Sequence, residues 1–215
     1  MADDQIIQQQ FEKLASIFRN LNLEKRTDGV WQIGGRLGFA GDFPAQSIED
    51  EYEISMTVPK DYPINLPEVW ETGDRIPLDY HKNPDKSLCL GAPLAVKTKF
   101  NEEPTLKGFV QKNLIPFLYS FSFYDQHGYM PFGELSHGAK GLYEFYRDLF
   151  HLEENRAILG LIKILTRNNY RGHLLCACGS RKRLRSCHGP LLLMIMKLQS
   201  PADFQREYDV LSRYS

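Results

Sequence analysis

Pro59, Pro63 and Pro67 stand four residues apart in the segment PKDYPINLPEVWE, residues 59–71. Each proline removes a backbone donor and fixes φ, so the stretch cannot run as an ordinary central strand. It is expected to cross the molecule extended and rigid. It joins a near-alternating strand over residues 51–58 (EYEISMTV) to a short strand over 68–71, and a further strand is expected over 31–39. Gly, Pro and Asp clusters between these runs read as turns, which together predict an antiparallel meander.

The flanking periodicity is helical. Ile6, Ile7, Phe11, Leu14, Ile17, Phe18 and Leu21 form a stripe behind possible caps at Asp3 and Asp4, predicting a helix over 5–21. After residue 103 another stripe runs through Leu106, Phe109, Val110, Leu114, Phe117 and Phe121, with Pro116 expected to kink it or locally open the backbone. Further helices are predicted over 139–150 and 154–167. Strands first and helices afterwards make the chain α+β. With 215 residues, 42% of them hydrophobic, one sizeable core and a small appended module are expected. The composition turns to glycine, basic residues and cysteine after Tyr170, giving a main domain over 1–170 and a module over 171–215. The longest apolar run, Leu191 to Met196, is too short to cross a bilayer, and the start lacks the pattern of a secretory signal. A soluble, cytoplasmic protein with no membrane partner is the expectation. The formal net charge of −1 gives no global electrostatic case for nucleic acid.

Cys89 lies in HKNPDKSLCL, apart from the other three cysteines. A thiol beside an imidazole and an amide has the makings of an acyl-carrying nucleophile, its thiolate favoured by His81, Lys82 and Lys86. A cysteine between Leu88 and Leu90 also fits a small buried hydrophobe. Asn83 is open to two roles, donor to a developing oxyanion or cap of the turn at Pro84, Asp85 and Lys86. His81 reads as organiser of the loop. A second polar cluster, Tyr124 to Gly128 and Gly133 to Gly138, offers His127 or His137 as a base for an incoming amine, with helix capping by Ser136 as the plain alternative.

The succession of a strand ending in Val-Pro, then Asp-Tyr-Pro, Leu-Pro-Glu-Val, His-x-Asn and Leu-Cys-Leu resembles the core of the ubiquitin-conjugating enzyme family, over residues 5–125. Divergent prokaryotic members are the nearest in pattern. The resemblance implies the UBC-like fold: an N-terminal helix, a four-stranded antiparallel meander, a cysteine-bearing segment and later helices. It puts the thioester cysteine at Cys89 and the family's His-Pro-Asn at His81, Lys82 and Asn83. Lys82 replaces the proline, the interval to the cysteine is about two residues shorter, and no tryptophan marks the following helix. The implied activity is transfer of a ubiquitin-like protein, received from an activating enzyme, from Cys89 to a target amine. The N-terminal helix around Gln8 to Lys13 is the implied docking face for that enzyme. The other reading is a catalytically silent scaffold of the same fold, with the C-terminal module as a recruitment unit.

Cys176, Cys178, Cys187 and His188 form C-x-C-x8-C-H, three thiolates and an imidazole suited to a closed, tetrahedral, structural Zn2+ site. The pattern resembles the SEC-C-type motif at the C-terminus of the bacterial preprotein-translocase ATPase, with Arg181 where a glycine usually follows the serine. Arg181, Lys182, Arg183 and Arg185 between the ligands make a basic face. Without interleaved aromatics it favours a protein partner or weak nonspecific nucleic-acid contact.

Overall fold

Alternation along two long strands builds the centre of the first half of the chain. The structure is a computed structural model that describes residues 3–43, 46–131, 136 and 138–214. Strands β1 (Leu21–Lys25), β2 (Trp31–Phe43), β3 (Gln46–Val58) and β4 (Glu68–Glu71) form one antiparallel sheet in chain order. The register pairs Trp31 with Val58, Ile33 with Met56 and Leu37 with Tyr52, all buried, so the odd positions of β2 and the even positions of β3 share the core face. Gly35 belongs to that row. Its φ is +125°, and a Cβ there would lie 2.2 Å from the Asn20 carbonyl oxygen, so only glycine lets the chain pass.

Helix α1 (Asp4–Ala15) opens on Asp3, whose side chain accepts from the Gln5 amide. It is shorter than the expected 5–21, because residues 16–20 form turns and Leu21 starts β1. Helix α2 (Pro93–Glu102) is followed by α3 (Leu106–Phe109), a π-helical turn (Val110–Leu114) and α4 (Ile115–His127). The widened turn lies where Pro116 lacks an N–H and crowds the preceding carbonyls, the local opening expected of it. Thr105 caps α3 by accepting from Gly108. Helices α5 (Gly138–Phe150), α6 (Asn155–Thr166), α7 (Gly189–Ile195) and α8 (Pro201–Tyr214) complete the chain. Among the described residues no helix is long and apolar enough to cross a membrane.

Contact density divides the chain into two units: residues 1–91 with 99–134, and residues 92–98 with 135–215. In the first, the sheet's apolar face meets α4, with the Tyr52 and Phe121 rings edge to face at 6.2 Å. In the second, Phe150, Ile158, Leu161, Leu184 and Phe204 share a core with Cys176. The change of composition at residue 171 falls inside this second unit.

Candidate functional site

The segment after β4 is held by its own polar groups. The Glu71 carboxylate accepts from the backbone amides of Gly73 (2.7 Å), Arg75 (3.3 Å) and Ile76 (3.1 Å), which pins the turn leaving the strand. The chain then folds into a small hairpin in which Lys82 bridges to Leu88, and the Leu88 amide donates to Val69 of β4 at 2.7 Å. At its tip the Asn83 amide N–H donates to the Ser87 carbonyl (2.8 Å) and the Asn83 Nδ2 to Ser87 Oγ (2.9 Å). Asp85 Oδ1 accepts from both the Ser87 amide (3.0 Å) and its hydroxyl (2.7 Å). These bonds to Ser87 hold the Asp85 carboxyl below its ordinary value. Ser87 itself is buried and satisfied.

Cys89 lies at the base of this hairpin. Its amide donates to the His81 carbonyl at 2.7 Å, so the two residues face each other across the ladder. The thiol is half-buried and not in a disulfide, whereas its neighbour Leu88 is buried. His81 adopts φ +41°, a left-handed conformation uncommon outside glycine, and its ring stands edge-on to Tyr80 at 4.9 Å and to Phe117 at 6.3 Å. It therefore anchors the strand facing the thiol to an aromatic wall. Lys82, expected to lend positive potential to the sulfur, donates instead to the Ile76 carbonyl at 2.7 Å. The Asn83 side chain bonds to Ser87 across the turn, as the capping reading of its sequence expects. Cys89 is thus a half-buried free thiol, a nucleophile by its chemistry, on a hydrogen-bonded hairpin.

His127 is exposed at the end of α4, its ring 4.4 Å from Phe123 and 6.1 Å from Tyr129. His137 and residues 133–135 of the second polar cluster lie outside the described residues. The Asp85–Ser87 latch was not singled out in the sequence, although N-P-D-K-S carries the signature of an Asx turn.

In the second unit Cys176, Cys178, Cys187 and His188 converge, their ligating atoms all within 4.8 Å of one another. His188 Nδ1 is 3.3 Å from the sulfurs of Cys176 and Cys187, and the Cys178 and Cys187 sulfurs are 3.5 Å apart. Bonds of the length zinc makes to sulfur and nitrogen give S···S and S···N edges of about 3.5–3.8 Å in a tetrahedron, so these three separations are close to what such an ion needs. The other ring nitrogen, Nε2, lies 2.9 Å from the Phe150 carbonyl at the end of α5. That contact assigns the proton to Nε2 and leaves Nδ1 as the ligand, an outer-shell arrangement usual for metal-binding imidazoles. Burial pushes the Cys176 thiol up; for Cys178, burial is outweighed by the Ser180 hydroxyl and amide, which bring it down. The hairpin carrying the ligands is closed by Cys176 N to Lys182 O (2.9 Å) and Leu184 N to Leu174 O (2.8 Å). The four residues can bind a metal ion, and their chemistry is compatible with zinc.

No protein-family model matches the chain, and no curated protein is a match for it.

Proposed function

We propose that the first unit is a UBC-like domain that carries a ubiquitin-like protein as a thioester on Cys89. The Cys89 thiolate attacks the carbonyl carbon of the thioester presented by an activating enzyme; a new S–C bond forms and the enzyme's thiolate leaves. A target amine then attacks the same carbonyl, an amide forms, Cys89 departs as thiolate and the amine's proton passes to solvent or a base. The observation carrying this reading is the half-buried, free Cys89, its amide bonded to His81 in the segment that follows the meander. The element order is in keeping with it: helix, four antiparallel strands, cysteine segment, helices. In the second unit Cys176, Cys178, Cys187 and His188 would hold a zinc ion with four protein ligands, which would supply structure rather than chemistry.

One observation favours a second reading, a silent scaffold of the same fold. One of the two N–H donors of the Asn83 side-chain amide, the candidate for an oxyanion, is engaged with Ser87 Oγ. Incubating the protein with an activating enzyme, ATP and a ubiquitin-like protein separates the two. The transferase reading expects an adduct on Cys89 that thiol reductants release and that Cys89→Ser converts to a reductant-resistant ester. No adduct on either protein, with the activating enzyme demonstrably charged, refutes it and leaves the scaffold.

A further inference from the structure

The formal charge of −1 conceals a division that follows the two units. The first holds twelve Lys and Arg against twenty Asp and Glu, net −8; the second holds fourteen against seven, net +7. Within the second, the 48 residues from Asn155 to Ala202 contain no carboxylate and nine cations: Arg156, Lys163, Arg167, Arg171, Arg181, Lys182, Arg183, Arg185 and Lys197. All nine are exposed, and among the described residues none of them makes an ion pair. The few side-chain bonds they make go to neutral oxygens: Arg171 to Asn169 Oδ1 at 3.2 Å and Arg183 to the His173 carbonyl at 3.5 Å.

Arg181 to Arg185 run along the metal-binding hairpin, bridged to residues 172–176 and ending in ligands Cys187 and His188. The backbone beneath these cations is therefore fixed before any partner arrives, which lowers the ordering cost of binding. Protein–protein interfaces are depleted of charge at their centres, whereas nucleic-acid interfaces are dense in unpaired Arg and Lys. Leu174 and Leu175 are the exposed apolar side chains of this hairpin, two among its five cations Arg171, Arg181, Lys182, Arg183 and Arg185.

We propose that this face of the metal-binding unit binds the phosphate backbone of nucleic acid without reading sequence. The inference rests on charge placement and is independent of chemistry at Cys89. Phosphate contacts hold the polymer by counterion release, with nonspecific dissociation constants of roughly 10⁻⁴ to 10⁻⁶ M at physiological salt.

The test is fluorescence anisotropy of the zinc-loaded full chain with a labelled 20-nucleotide single-stranded RNA and a 20-base-pair DNA duplex, from 50 to 200 mM KCl. With about four phosphates engaged, the slope of log K against log salt is expected near −3 for the single strand. Arg181→Gln with Arg183→Gln should reduce that slope by about 1.4 and weaken binding to both probes alike. Zinc content and helical circular dichroism of the variant should stay unchanged, which separates lost contacts from lost fold. No binding to either probe at 50 mM KCl overturns the proposal, as does binding that ignores salt. Binding to labelled polyglutamate as tight as to RNA, lost in the same variant, overturns it in favour of an acidic protein partner.

Discussion

Asp50 presents a carboxylate on the core-facing row of β3, opposite Phe39, where an apolar residue would continue the pattern. It is tolerated because Arg75 donates to both its oxygens (2.7 and 3.0 Å) and Ser122 donates at 2.7 Å, while Arg75 also lies over the Tyr52 ring at 4.4 Å. Burial pushes this carboxyl up, but Arg75, Ser122 and the Glu51 amide outweigh it and bring it from 3.8 to about 2. Allowing for solvent screening, that lowering is worth about 2 kcal/mol. Because the folded-state value is depressed, the stabilisation is present above 3.8 and is lost as pH falls toward about 2. Asp50→Asn removes the charge at nearly constant size, so the variant should be about 2 kcal/mol less stable than the wild type at pH 7. The gap should shrink to about half at pH 3, where much of the wild-type advantage is gone. Urea unfolding followed by tryptophan fluorescence reports this unit selectively, since Trp31 and Trp70 both lie in it. Equal stability at pH 7, or a gap that does not narrow with acid, would refute the account of the Asp50 network.

Glu207 is buried in the second unit, accepting from the Tyr146 hydroxyl, and burial raises its carboxyl above the ordinary value. A raised folded-state value gives stability that is complete below the unfolded value and fades as pH rises through the folded one, so amide protection in α5 and α8 should decline with pH. Glu207→Gln should remove that dependence, and Glu207→Leu, which orphans the Tyr146 hydroxyl, should cost about 1–3 kcal/mol. The chain should hold one zinc by elemental analysis. Chelation should speed amide exchange around Phe150 about tenfold, the size of a lost His188 bond to its carbonyl. Gly35→Ala should destabilise the first unit by at least about 2 kcal/mol, since both its φ and the Asn20 oxygen oppose a methyl group. Gly34→Ala, whose Cβ meets only Ile54 O at 3.7 Å, should cost under about 1 kcal/mol by the same unfolding assay.

Periodicity revealed the α+β order, the paired strands, α5, α6 and the opened turn before Pro116, because each depends on side-chain spacing that packing then uses. Strand β1 and helix α2 escaped it for physical reasons. In β1, Leu-Asn-Leu-Glu-Lys has no β-branched or aromatic residue, and Leu21 falls in phase with the stripe of α1, so the helix reads through a turn closed by backbone bonds. In α2 the buried Leu94 and Phe100 are six residues apart, too far for a stripe, and Pro93 looks like a breaker although it occupies the first helical position. The metal ligands were legible because thiolates and imidazole carry their chemistry in their identity. Their outer-shell partner, the Phe150 carbonyl, was not, since any residue offers a carbonyl. Total charge hid the opposition of −8 and +7, which appears only once the units are delimited.

The proposed transfer needs the half-buried Cys89 thiol to be reactive while the other three cysteines are held at the metal site. Native alkylation of the zinc-loaded chain with iodoacetamide, followed by peptide mapping, tests it directly. The account predicts a single modification, at Cys89, with Cys176, Cys178 and Cys187 protected until zinc is removed. An unmodified Cys89 under conditions that alkylate a free thiol would contradict it.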